Sequence, residues 1–163
     1  MNNIDEETVN QMSKNAQKCI DTHAKQAIAV SFIPLVSLPI VYGVCAKMII
    51  QIDKIFGIPT AKGWDSEIVT DIAAGVIAAP ALAIPLLGAG VASAYIKSIG
   101  ESYAKAVVAV VSASSPQELA DGTFVACKVK EELQKIHAKQ REKRLEQITS
   151  RKVKAEVRHE IST

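Results

Sequence analysis

Few side chains in this chain could do chemistry, and their spacing does not assemble them. Three histidines (His23, His137, His159) and three cysteines (Cys19, Cys45, Cys127) are scattered, with no CxxC and no Cys/His spacing that would ligate zinc. The cysteines read as small buried apolar groups of a reducing compartment, and the histidines as ordinary surface residues. Asp65, Glu67 and Asp71 cluster just ahead of an apolar segment, where carboxylates favour a helix N-terminus through its dipole. Ser112, Ser114 and Ser115 have no nearby histidine to act as a base. A phosphate cradle is missing too. Gly57-Ile-Pro-Thr-Ala-Lys-Gly lacks the lysine-then-hydroxyl ending of a P-loop, and LLGAG at 86–90 follows a proline in a helical setting. With no nucleophile–base pair and no metal set, the chain is expected to be non-enzymatic and to need no cofactor.

The elements that would position these residues are more informative. Ala27–Ala46 and Ile72–Ile96 carry no charge, and each holds two prolines five residues apart: Pro34 and Pro39, Pro80 and Pro85. Proline removes a backbone donor and disfavours helix at the preceding residue, so both stretches read as apolar helices broken into hairpins. Aromatics are only 4% of the chain while apolar residues reach 48%, a composition suited to close helix packing. No strand pattern competes. The fold class expected is all-α: a bundle of proline-broken apolar hairpins with a long charged C-terminal helix.

Three segments follow. Residues 1–23 form an amphipathic helix begun at Asn3 or Asp5, with Val9, Met12, Ala16, Cys19 and Ile20 on one face. Residues 24–113 form the apolar hairpin domain. Within it one helix runs from about Pro39 to Phe56 and stops at Gly57, and another runs from about Pro85 to Ala113. Gly88 and Gly90, each four residues ahead of an alanine, are expected to let helices approach closely. Residues 114–163 form a basic extension opened by Ser115-Pro116-Gln117-Glu118, a capping box with proline in the first turn. Asp121-Gly122 interrupts it before a long charged helix.

Charge is divided unevenly. Residues 1–127 hold eight Lys against eleven acids, and 128–163 hold eleven Lys plus Arg against six. A tail of this kind (Arg141, Lys143, Arg144, Arg151 and Lys152 foremost) can lie against anionic lipid or nucleic acid, or bind an acidic protein. Both uncharged stretches are long enough to reach across a bilayer, and Tyr42, Trp64, Tyr95 and Tyr103 lie near segment ends where interfacial rings are favoured. Lys47, Gln51 and Lys54 on one helix side instead make that segment amphipathic and not uniformly lipid-like.

The order of these elements resembles a family of bacterial helical domains of unknown function. It includes YcjF-type inner-membrane proteins and segments that follow some Era-like GTPase domains. The residues that carry the resemblance are Ile33-Pro34 with Leu38-Pro39, Lys54-Ile55-Phe56-Gly57-Ile58-Pro59, Ile84-Pro85-Leu86-Leu87-Gly88, and Gly100 ahead of Tyr103-Ala104-Lys105. Ile40 departs from the pattern, where a glycine is usual. The resemblance implies a membrane-associated module that partners or anchors a GTPase-like protein, on the cytoplasmic side of the inner membrane. Membrane lipid and a protein are the partners expected; nucleic acid is disfavoured, and self-association stays open. The alternatives are a soluble cytoplasmic interaction protein whose hairpins form its core, and a small pore-forming protein.

Overall fold

The computed structural model describes residues 5–30, 37–59 and 85–161. These form five helices with no strand among the described residues: α1 (Glu6–Val30), α2 (Ser37–Phe56), α3 (Pro85–Ala113), α4 (Pro116–Leu119) and α5 (Gly122–Ile161). The all-α expectation holds. Pro34, Pro80, Trp64, the Asp65–Asp71 cluster and most of the second uncharged stretch lie outside the described residues.

Each boundary has a local cause. Asp5 caps α1, its Oδ1 accepting the Thr8 N–H at 2.6 Å, and this bond holds the Asp5 carboxyl below its ordinary range. Pro39 falls in the first turn of α2, where a missing N–H costs nothing, so that helix opens two residues earlier than the proline suggested. Gly57 ends α2 with φ +66, the left-handed conformation that glycine adopts without strain. The N–H of Ile58 bonds to the Asp53 carbonyl at 2.9 Å and that of Gly57 to the Lys54 carbonyl at 3.3 Å, completing a Schellman stop. Pro85 is the first residue of α3, as its fixed φ favours. At α4 the capping box forms in full: Glu118 N–H to Ser115 Oγ, and Ser115 N–H to the Glu118 carboxylate at 2.7 Å. Asp121 then caps α5 by accepting from Thr123 and Phe124.

One hydrophobic core is shared by all three segments expected from the sequence. α1 packs on α3 and α2, α2 on α3, and α3 on the first half of α5. Ala16, Ile20 and Ala24 of α1 share one buried cluster with Cys45, Met48, Ile49 and Ile52 of α2, Ile96, Ile99 and Val107 of α3, and Val125, Val129 and Leu133 of α5. Each fully buried Ile or Val contributes roughly 1.5–3 kcal/mol, so these helices hold together by their apolar faces. No described helix is long and apolar enough to cross a membrane.

Candidate functional site

The described polar groups gather at three buried or half-buried nodes, and the charged ones along α5. The deepest node pairs α2 with α3. Tyr103 and Asp53 are both 0% exposed, and the Tyr103 hydroxyl donates to Asp53 Oδ1 at 2.6 Å. Tyr103 is therefore a core residue and not the interfacial ring expected from its place near a segment end. Its ring fills apolar space, while its hydroxyl satisfies a carboxylate that would be costly to bury alone. Tyr42 and Tyr95 are half-buried. The Tyr95 phenol is pushed up to about 12, chiefly by burial and secondarily by Cys45.

A second node joins α1 to α2. The Cys19 thiol donates to Gln51 Oε1 at 3.3 Å, and His23 Nδ1 lies 2.9 Å from the Cys19 carbonyl oxygen. His23 is buried, against the surface placement expected, and its ring bonds back to its own helix turn. A carbonyl only accepts, so in this bond Nδ1 carries the proton and cannot serve as a base toward the thiol 3.6 Å away. Burial raises the Cys19 thiol, the reverse of what an activated nucleophile needs. Cys45 is fully buried and pushed up to about 12 for the same reason, whereas Cys127 is exposed, which corrects the expectation that all three are buried. The described residues contain no group of three or more His, Cys, Asp or Glu able to hold a metal.

Third, Gln140 of α5 donates to the buried Ser102 hydroxyl of α3 at 3.3 Å. It clips the middle of α5 to the bundle. Between α1 and α3 lies an open groove of about 460 Å³ lined by Ser13, Gln17, Glu101, Ala104, Lys105 and Val108, its two charges opposite in sign. One turn away Lys97 and Asp21 pair at 3.5 Å, both about half exposed, a geometry worth well under about 1 kcal/mol.

Close helix approach occurs at a glycine that small-residue spacing did not single out. A Cβ on Gly100 would lie 2.7 Å from Ile20 Cγ1 and 2.9 Å from Met48 Sδ, so α1, α2 and α3 converge there. Gly90 is exposed, and a Cβ on it would meet nothing within 4 Å; its solvent-facing register removes the close-packing role expected of it. Gly88 lies in α3 with its surroundings outside the description. Gly57 acts through its backbone, as expected.

Of the basic residues, Lys143 is exposed; Arg141, Arg144, Arg151 and Lys152 occupy α5, and their side chains lie outside the description. The lysines nearer the bundle pair within the helix: Lys128 with Glu131 at 2.9 Å, and Lys135 with Glu132 at 2.6 Å, which raises the Lys135 ammonium. Comparison with family models, curated proteins and solved structures finds no match.

Proposed function

We propose that this chain is a non-enzymatic helical module that anchors or regulates a protein partner, with α1–α3 as its packed core and α5 as its recognition element. The observation that carries this is where the apolar faces go. Ile20, Met48, Ile49, Ile52, Ile96, Ile99, Tyr103 and Val107 are spent on one another, whereas α5 beyond Gln140 offers the exposed charges Glu142, Lys143 and Glu146. The buried polar nodes act as struts: Tyr103 with Asp53 and Gln140 with Ser102 fix which helix faces meet, and the high-lying thiols of Cys19 and Cys45 argue against nucleophilic work. The family resemblance suggests a GTPase-like protein as the partner.

Membrane association is the second reading, and the uncharged Ala27–Ala46 and Ile72–Ile96 favour it. On that reading the hairpins dock at the cytoplasmic side of the inner membrane, and the basic helix lies along the headgroups. Fractionation with a carbonate wash separates the two. Recovery as a monodisperse, detergent-free protein is the result expected of a packed core; retention in the washed pellet would replace it with the membrane reading.

A further inference from the structure

Every arginine of the chain lies in α5 from its midpoint onward, at 141, 144, 151 and 158. Because α5 is continuous through Ile161, backbone register places them. Arg144 follows Gln140 by one turn and Leu133 by three, so it occupies the face through which Val129, Leu133 and Gln140 meet the bundle. Arg151 and Arg158 repeat that position at seven-residue steps, drifting only about 20° per step. The face that is apolar and buried in the first half of α5 thus becomes an arginine face in the second. Glu142, Glu146, Glu156 and Glu160 fall on the opposite side of the helix.

The two kinds of cation are also provided for differently. Lys139, Lys143 and Lys152 each have a glutamate three or four residues on (Glu142, Glu146, Glu156), the spacing at which helical charges neutralise one another. None of the four arginines has an acid at three or four residues in either direction. Three of the four lysines from Lys139 onward thus have an acid at helical pairing distance, Lys154 being the exception, and none of the arginines does.

We infer that Arg144, Arg151 and Arg158, with Arg141 beside them, form a docking face for an acidic helix of the partner protein. This rests on the interaction-module reading and names the chemistry of its partner. Guanidinium forks hold carboxylates in a two-bond geometry that an ammonium cannot reproduce. A seven-residue repeat meets a second helix at every second turn, whereas a fluid layer of lipid headgroups has no register and accepts lysine equally well.

The test uses the full chain and three probes: an alanine-rich helical peptide bearing glutamates in each heptad, its glutamine counterpart, and phosphatidylserine vesicles. The acidic peptide should bind at least about tenfold tighter than its glutamine counterpart. R144Q/R151Q/R158Q should weaken it about tenfold, from the loss of three charge-assisted pairs. K139Q/K143Q/K152Q removes the same charge and should change binding less than about twofold; R144K/R151K/R158K should still weaken it at least about threefold. Unchanged thermal midpoints confirm that the variants are folded. Equal weakening by the first two triples would overturn the arginine face and leave the interaction module standing. Tight vesicle binding with none to the peptide would overturn both in favour of the membrane reading. Absence of binding to peptide and vesicle alike, in a monodisperse folded chain, would overturn the acidic-helix inference alone.

Discussion

The two halves of α5 belong to one unbroken helix and have opposite tasks. From Val125 to Leu133 it places apolar side chains every four residues against the bundle, and Gln140 closes that interface with a hydrogen bond to Ser102. From Arg144 onward the same register holds Arg144, Arg151 and Arg158, which cannot continue an apolar contact without a large desolvation cost. A helix need not change conformation to change from structural to recognition element. Changing what sits on one face is enough.

The sharpest way to break this comparison is to damage each half in turn. Leu133→Ala, at a position 5% exposed, should lower unfolding free energy by about 2–4 kcal/mol in urea titrations. R144Q/R151Q/R158Q should leave it within about 0.5 kcal/mol. A destabilised arginine triple would mean that the distal half also belongs to the core.

Next in size is the buried strut. Tyr103→Phe removes a hydrogen bond to a carboxylate without changing the packing volume, and should cost about 1.5–3 kcal/mol by the same titration. A neutral result would show that Asp53 does not depend on this hydroxyl. The glycines of α3 then sharpen the contrast between packed and open faces. Gly100→Ala must displace Ile20 and Met48, and should cost about 1–2 kcal/mol after its gain in helix propensity. Gly90→Ala gains that propensity against open space and should stabilise by up to about 1 kcal/mol.

The smallest effect concerns the cap of α4. Ser115→Ala should cost about 1 kcal/mol or less. Its partner Glu118 adds a pH signature, because the bond from the Ser115 N–H holds its carboxyl below the ordinary range. A depressed carboxyl stabilises the fold above its unfolded value and loses that contribution as pH falls through its folded value. Glu118→Gln and the parent should therefore differ in urea midpoint at about pH 7 and converge near about pH 3. Parallel curves would exclude the carboxylate from the cap.

Helix ends were legible in the sequence because their signals are local. Gly57 with Pro59, Pro85, and Ser115-Pro116-Gln117-Glu118 each act within a few residues, and each boundary lies at or beside the expected position. Partners distant in the chain were not. Asp53 and Tyr103 are fifty residues apart, and neither residue type announces the other. Tyr103 looked like an interfacial ring because an apolar body with a polar tip suits a membrane boundary and a buried strut equally. Gly90 and Gly100 are alike in sequence, yet helix rotation decides that one faces open space and the other Ile20 and Met48. The basic run was visible as composition; the seven-residue register that puts Arg144, Arg151 and Arg158 on one face became readable once α5 proved continuous through Ile161.

Hydrogen exchange of the full chain, alone and with the acidic helical peptide, reads the two halves of α5 separately. Amides from Val125 to Ile136 should exchange as slowly as those of α1–α3 in both conditions, while those from Arg141 to Arg158 should gain protection only with the peptide. Protection that rises instead in the Val125–Ile136 segment, or nowhere along α5, would contradict the division of this helix into a structural half and a recognition half.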